Sequence, residues 1–191
     1  MTNKKKNTIR KNTPKFEETF DPQSLITLAP IHNDQIIGNI GSNDILLPIA
    51  LAKYLYRGKI YVINDENEFK KNIIECTKKY KLGNVKTISS NGNTIALRDN
   101  LLDGGVISDY LNKISGIKFL LNEISRITKK SGWISIIDWI PVNSKPDFGP
   151  SKSRRISPEK VISVGDSIGL KVITQRMLSE YHYIVILKKT R

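Results

Sequence analysis

Short apolar runs alternate with longer segments of helical spacing through the first two thirds of the chain. The apolar runs, each of four to seven residues, predict five strands at QIIGNI, KIYVIN, NVKTIS, GVIS and WISIIDW. The segments DILLPIALAKYLY, ENEFKKNIIECTKKYKLG and SGIKFLLNEISRITKKSG predict helices between them. Such alternation of strands and helices predicts a parallel, doubly wound α/β sheet.

The ends of these helices are also marked in the sequence. Asp44 is a predicted N-cap of the first helix, and Pro48 lies in its first turn, where proline is tolerated. The third helix is expected to hold Lys129 and Lys130 at its C-terminal end, where the helix dipole favours cations. The apolar face predicted for the first helix consists of Leu47, Ala50, Leu51, Tyr54 and Leu55.

The last third of the chain follows a different pattern. A helix begins at Ser157 and Pro158, and it is followed by two apolar runs, LKVITQRML and YHYIVILKK. The short turn between these runs fits an antiparallel hairpin and is too short for a parallel crossover. The fold class predicted is therefore α/β, with a doubly wound, mostly parallel seven-stranded sheet and a C-terminal antiparallel hairpin.

The length of 191 residues favours a single domain. Residues 1–15 carry six basic residues and no acid, so we expect a basic disordered arm followed by one domain over residues 16–191. Within that domain, FDPQSLITLAP predicts a short helix or an N-terminal lid.

The formal net charge is +13, which suits a nucleic-acid or other polyanion partner. The competing interpretation is a general bias toward Lys and Asn, because basic residues are spread widely and aromatic residues are not interleaved with them in a stacking pattern. Cys76 is the only cysteine, and no Cys/His cluster has metal-ligand spacing, so no metal is expected. Without an apolar run of ~20 residues or a signal peptide, we expect a soluble, cytoplasmic protein.

Ligands of open α/β sheets bind beyond the C-terminal ends of the strands. In this sequence that rule selects four polar stretches: residues 39–44, Asn64 with Asp65, residues 90–93, and Ser108 with Asp109. Asn64 lies ~20 residues beyond Gly41, the distance at which a group meeting a ribose hydroxyl is expected in nucleotide-binding folds.

At these positions the sequence resembles the class I S-adenosylmethionine-dependent methyltransferases, especially the small ubiquinone/menaquinone-biosynthesis-type methylases. IIGNIGSNDILLPIALA is similar to the first motif of the family, a strand followed by acid-x-Gly-x-Gly-x-Gly and a helix. LLNEISRITKKSGWISIIDWIP is similar to its helix, turn and fifth strand. The resemblance covers nearly the whole chain outside the basic arm, and it implies a Rossmann-like fold and S-adenosylmethionine as cofactor.

The resemblance places the motif acid at Asn39, the three glycines at Gly41, Asn43 and Ile45, the ribose acid at Asn64 and the adenine acid at Asn91. All three acids are thus amides, and two glycines are replaced. The cofactor-binding residues that follow from the resemblance and from the strand ends are Asn39, Gly41, Ser42, Asn43, Asn64, Asp65, Asn91, Gly92 and Ser108. Amides weaken such binding, because charge-assisted bonds are worth ~1.5–3 kcal/mol and neutral ones ~0.5–1.5. Asp65, next to Asn64, offers a replacement carboxylate.

No catalytic residue follows from the sequence. The candidates for contact with a methyl acceptor are Asp109, Asp138, Trp139 and His182, although Asp138 is also expected as a cap at a strand end and His182 as a surface or edge residue. Gly38 and Gly41 do not form the G-x-G-x-x-G of a dehydrogenase.

Two functions therefore stay open. The first is an S-adenosylmethionine-dependent methyltransferase acting on an unidentified, small-molecule acceptor. The second is a methyltransferase-like module that has lost the cofactor and binds a partner or nucleic acid through its arm and the basic loop with Lys152, Arg154 and Arg155.

Overall fold

A computed structural model describes residues 20–41, 44–90, 94–141 and 149–190. Seven strands form one sheet in the order β3-β2-β1-β4-β5-β7-β6. Strands β1 to β5 pair in parallel, and β7 is antiparallel to both β5 and β6. The strands are β1 Ile36–Gly41, β2 Lys59–Ile63, β3 Val85–Ile88, β4 Leu102–Ser108, β5 Thr128–Trp139, β6 Leu170–Met177 and β7 His182–Lys189. The predicted fold class, including the C-terminal hairpin, is confirmed.

The helices of the described residues cover both faces of this sheet. They are α1 Pro22–Leu28, α2 Leu46–Tyr54, α3 Asn67–Lys79, α4 Ile117–Ile127 and α5 Pro158–Ser167, with short 3-10 turns at Leu111–Lys113 and Lys152–Arg154. Helices α1 to α3 pack on one face through residues such as Leu25, Leu51 and Ile73. Helices α4 and α5 pack on the other through Leu121 and Val161. Within the described parts of the chain, no helix is long and apolar enough to cross a membrane.

The predicted end of the third helix is wrong. Helix α4 ends at Ile127, and Lys129 and Lys130 lie in strand β5, where the Lys129 ammonium forms an ion pair with Asp103 at 2.6 Å. The cation at the helix end comes instead from β7: the Lys189 Nζ donates to the carbonyls of Ser125 and Thr128, both at 2.8 Å. An ammonium group thus satisfies these carbonyls, but it comes from a distant part of the sequence.

Helix α2 begins close to where its sequence predicts. Asp44 accepts a hydrogen bond from the Leu46 amide at 2.7 Å, which satisfies an N–H group that the first turn leaves without an intrahelical partner. Ile45 has a φ of −82° and a ψ of −26°, a helical conformation. A β-branched side chain is compatible with that conformation, so the backbone at position 45 does not require a glycine. Within the predicted apolar face, Leu47, Leu51 and Leu55 are fully buried, while Tyr54 is 37% exposed.

Candidate functional site

A cavity of about 390 Å³ lies at the C-terminal ends of β1 and β2, beside the segment after β4 and the first turns of α4. This volume is within the range of small-molecule pockets. Its described lining includes apolar side chains from Ile40, Ile63, Ile95 and Leu120. The charged lining consists of three carboxylates and one ammonium, from Asp65, Glu66, Glu123 and Lys113. The cavity is therefore acidic in a chain whose net charge is +13.

Gly41 ends strand β1 at the inner wall of this cavity. Its φ is +125°, a conformation that side chains rarely adopt. A Cβ at Gly41 would lie 2.5 Å from the Ser108 carbonyl oxygen and 2.8 Å from the Tyr110 Cβ. The first glycine of the motif is therefore required by the neighbouring strand as well as by its own backbone conformation.

The Asn64 side chain joins the ends of β1 and β2. Its Nδ2 donates to the Gly41 carbonyl at 3.1 Å, and its Oδ1 accepts from the Glu66 amide at 2.7 Å. A carboxylate has no hydrogen to donate, so an acid at this position would lose the bond to Gly41. The amide at the expected ribose-binding position thus supports the backbone on both sides of the cavity.

Asp65 lies beside Asn64 and connects β2 to the end of β3. Its Oδ1 accepts from the Ser90 amide at 2.7 Å, and its Oδ2 accepts from the Ser90 hydroxyl at 3.0 Å. A carboxylate has about four acceptor sites, so these two bonds leave capacity for a ligand. Burial, together with the Asp65 charge, raises the pKa of the Tyr110 hydroxyl, which also lines the cavity.

Asn39 is 4% exposed within β1. In the described structure its Nδ2 has no hydrogen-bond acceptor. Native proteins rarely bury such a donor without a partner, and a water or ligand is a common explanation. Ser108, the register partner of Gly41 in β4, is 1% exposed, and its hydroxyl also has no partner among the described residues.

The far wall of the cavity is held by helix α4. Glu123 accepts from the Ile95 amide at 2.7 Å, and Arg126 donates to the Ile95 carbonyl at 3.0 Å. The same Arg126 forms ion pairs with Glu123 and Asp99. Hydrogen bonding to Arg126 lowers the pKa of the Glu123 carboxyl, so it is ionised at neutral pH. Because the Ile95 backbone is bound on both sides, its apolar side chain has a fixed place in the wall.

A second polar cluster lies at the ends of β4 and β5, where four predicted acceptor-contact residues meet. The Asp109 carboxylate accepts from the Trp139 indole N–H at 2.7 Å, and the Trp139 and His182 rings are 4.3 Å apart. Asp138 accepts backbone N–H bonds from Tyr110 at 3.2 Å and Leu111 at 3.0 Å. It also accepts from the Trp139 amide at 2.8 Å. Asp138 is thus a strand-end cap, the simpler of the two predictions.

Burial, and to a smaller extent the Asp109 charge, raise the pKa of the Asp138 carboxyl to about 6, although the backbone hydrogen bonds act to lower it. Burial also raises the pKa of Asp109, while the bond from Trp139 opposes this. Asp138, Trp139 and His182 are at most 2% exposed, whereas Asp109 is partly exposed. Of the four, Asp109 is the one that a substrate can reach in this conformation.

Two predictions about surface residues are wrong. His182 is fully buried, because β7 lies inside the sheet between β5 and β6 instead of at an edge. Arg155 is 8% exposed, and it donates to the carbonyls of Ile140 and Pro150, both at 3.0 Å. Arg155 therefore stabilises the loop from within, and Lys152 and Arg154 are the exposed members of the basic loop.

The sequence matches no protein-family model and no curated protein. Solved structures do match. An S-adenosylmethionine-dependent methyltransferase from Aquifex aeolicus has 23% identity and a TM-score of 0.81 over 89% of this chain and 90% of its own. The [4+2]-cyclase SpnF has 12% identity and a TM-score of 0.78 over 88% of this chain and 79% of its own. A geranyl diphosphate methyltransferase in complex with S-adenosylmethionine has 10% identity and a TM-score of 0.73 over 88% and 84%.

The chain has the class I methyltransferase fold. Because identity to these structures is below 25%, the likeness concerns the fold alone. On this fold the described cofactor candidates Asn39, Gly41, Asn64, Asp65 and Ser108 converge on the ends of β1, β2 and β4. Of them, Gly41, Asn64 and Asp65 line the cavity.

Four cofactor candidates, Ser42, Asn43, Asn91 and Gly92, lie outside the described residues, as does the arm over residues 1–15. The strand ends did not indicate Glu66, Tyr110 or Glu123, which also line the cavity. Glu66 and Tyr110 directly follow selected residues, so a wider window at each strand end finds them. Glu123 lies within helix α4, and no local sequence signal distinguishes it from other helix acids.

Proposed function

We propose that the chain is an S-adenosylmethionine-dependent methyltransferase whose cofactor binds in the acidic cavity. The observation that carries this proposal is the position of that cavity at the ends of β1 and β2, beside the segment after β4, with three carboxylates in its lining. S-adenosylmethionine supplies a methyl group on a sulfonium cation, and nearby carboxylates stabilise such a cation. The fold alone does not fix the chemistry, because a cyclase shares it with two methyltransferases.

The residues of the cavity fit this cofactor. Its volume of about 390 Å³ suits a nucleoside with an attached amino acid, and its walls are divided into polar and apolar parts. We assign the ribose hydroxyls to Asp65, because the Asn64 amide already bonds Gly41 and Glu66. Ile95 and Leu120 would contact the adenine ring from the apolar side. The buried Nδ2 of Asn39 would donate to a polar group of the ligand or to a water.

For the methyl acceptor we propose a small molecule that reaches the site near Asp109. Methyl transfer from a sulfonium needs mainly a positioned nucleophile, with a base in some cases. The Trp139 indole N–H holds the Asp109 carboxylate in place. Asp138, Trp139 and His182 would act by fixing this wall, since they are buried.

The experiment is thermal unfolding of the full chain with and without ligand. We expect S-adenosylmethionine and S-adenosylhomocysteine to raise the midpoint, since a ligand at 100 times its Kd stabilises by about 2.7 kcal/mol. Adenine alone serves as the fragment control. If neither cofactor form shifts the midpoint at millimolar concentration, the proposal is overturned.

The second candidate is a methyltransferase-like module without cofactor, formed by one domain over residues 16–191 behind the basic arm. The observation that favours it is that the Asn64 side chain bonds the backbone at both Gly41 and Glu66 instead of being kept for a ribose. Such a module would bind a partner or nucleic acid through the arm. It predicts no cofactor binding, together with salt-dependent binding of RNA or DNA that is lost when residues 1–15 are deleted.

A further inference from the structure

Two segments far apart in sequence, residues 53–59 and 78–86, form one surface, which we call the tyrosine–lysine surface. The Asn84 Nδ2 donates to the carbonyls of Ala52 and Leu55, both at 2.8 Å, which fixes the turn after α3 against the end of α2. The Lys53 ammonium lies 4.5 Å from the centre of the Tyr80 ring. The two segments are thus held together by contacts within the described structure.

The two segments carry charge of one sign, although Asp21 lines the same depression as Lys53 and Tyr80. The two segments contain seven basic residues and no acid. All seven are exposed, and they are Lys53, Arg57, Lys59, Lys78, Lys79, Lys81 and Lys86. Basic residues are spread widely along the sequence, but the fold brings these seven together on one surface. A surface of this kind attracts a polyanion.

Three tyrosines lie among these cations. Tyr54, Tyr56 and Tyr80 are 37%, 70% and 46% exposed. The Tyr56 hydroxyl accepts a hydrogen bond from the Asn33 Nδ2 at 2.7 Å, so its ring is held although most of it faces solvent. A held, exposed ring can stack on a planar ligand at a low cost in side-chain entropy. The sequence expectation that aromatic and basic residues are not interleaved does not hold on this surface.

The tyrosine–lysine surface is separate from the cavity. Strand β2 begins at Lys59 and β3 begins at Val85, so the surface lies at the N-terminal ends of these strands. The cavity lies at their C-terminal ends, beside Asn64 and Ser90. A ligand on this surface is therefore neither the cofactor nor the acceptor of the proposed reaction.

We propose that the tyrosine–lysine surface binds single-stranded nucleic acid. Its lysines and Arg57 would follow the phosphates, and its exposed rings would stack with bases, the combination used by proteins that bind single strands without sequence preference. We favour nucleic acid over an acidic protein because each of its nucleotides supplies both a negative charge and a planar base for the exposed rings. The inference does not depend on methyl transfer, so it stands or fails independently of the proposed function.

The test is fluorescence anisotropy of the full chain with a labelled 20-nucleotide oligo(U) RNA and a DNA duplex of equal length. We expect the single strand to bind more tightly, with a log–log salt slope of about −3 if four or five phosphates are neutralised. The triple variant Lys53→Gln, Arg57→Gln, Lys79→Gln should weaken binding by about tenfold or more. The matched variant Lys160→Gln, Arg176→Gln, Lys188→Gln removes three exposed charges elsewhere and should weaken it about threefold at most.

The aromatic contribution is tested at Tyr56. Tyr56→Leu removes the ring and should weaken RNA binding by about tenfold. Tyr56→Phe keeps the ring and loses only the bond from Asn33 that holds it, so it should weaken binding by about threefold at most. Circular dichroism checks that each variant is folded. Equal losses in the two triple variants would assign binding to the arm or to diffuse charge and overturn the proposal. Preference for the duplex, or no RNA binding at 50 mM salt, would overturn it as well.

Discussion

The Asn64 Nδ2 donates a hydrogen bond to the Gly41 carbonyl across 3.1 Å, from the end of β2 to the end of β1. In the class I methyltransferase resemblance, Asn64 stands where an acid meets the ribose. Here its side chain supports the backbone at Gly41, which the cofactor is expected to approach. We therefore propose that the ribose contact is made by the next residue, Asp65, which is held by hydrogen bonds from Ser90.

Asn64→Asp is therefore expected to destabilise the chain, although it restores the acid of the family motif. The carboxylate loses the bond to Gly41 and places an oxygen beside a carbonyl oxygen. A lost hydrogen bond of this kind costs about 1 kcal/mol. Urea unfolding measures the difference. Unchanged or increased stability in Asn64→Asp would show that the amide is not needed for the backbone.

Gly41→Ala is expected to be strongly destabilising, by about 2 kcal/mol or more, because the positive φ and the Ser108 carbonyl both oppose a Cβ. Gly83→Ala is the matched control, since a Cβ there has no neighbour within 4 Å and its φ is outside the positive range. We expect that control to lie within about 1 kcal/mol of the unmodified chain. Thermal unfolding of both variants tests this contrast, and equal effects would contradict it.

The Asp138 carboxyl should make stability depend on pH. Its pKa is about 6 in the folded chain against an ordinary value of 3.8, so the folded state binds more protons between these values. Its contribution therefore favours folding below pH ~4 and is lost as pH rises through ~6, by up to about 3 kcal/mol. Urea unfolding from pH 4 to 7 should show this fall in the unmodified chain and less of it in Asp138→Asn.

A direct measurement complements that comparison. Carbon-13 NMR of the Asp138 carboxyl should give a titration midpoint near 6. A midpoint near 4, or parallel pH profiles for the two proteins, would contradict the assignment of this effect to a buried carboxyl.

The sequence predicted the parts of the fold that depend on local pattern. Apolar runs located the seven strands, and Asp44 located the start of α2. The end of α4 was missed because no glycine or proline follows Ile127 before Gly132, while the Lys129 ion pair with Asp103 belongs to the sheet. The burial of His182 was missed because it follows from strand order, a non-local property.

The candidate site divides in the same way. Strand ends selected Gly41, Asn64 and Asp65, which line the cavity, because the ligand rule for parallel sheets needs only the strand positions. The same rule did not indicate that the Asn64 side chain donates to the Gly41 carbonyl, since that bond depends on the distance between two strand ends. Glu123 lines the cavity from helix α4. The way that helix packs beside the cavity does not follow from any local sequence pattern.

The assignment of the ribose contact to Asp65 predicts a specific loss. Asp65→Asn should weaken S-adenosylhomocysteine binding by about tenfold or more, since a charge-assisted bond is worth ~1.5–3 kcal/mol. Ser90→Ala removes only one of the two bonds from Ser90 to Asp65 and should have a smaller effect. Asp166→Asn, an exposed acid paired with Lys171 far from the cavity, serves as the charge control and should bind normally.

Isothermal titration calorimetry of the full chain with S-adenosylhomocysteine is the direct test of cofactor binding in the cavity. We predict binding of one ligand per chain, weakened by about tenfold in Asp65→Asn and unchanged in Asp166→Asn. Absence of heat and of competition at millimolar ligand, in a chain shown to be folded, would contradict cofactor binding in this cavity.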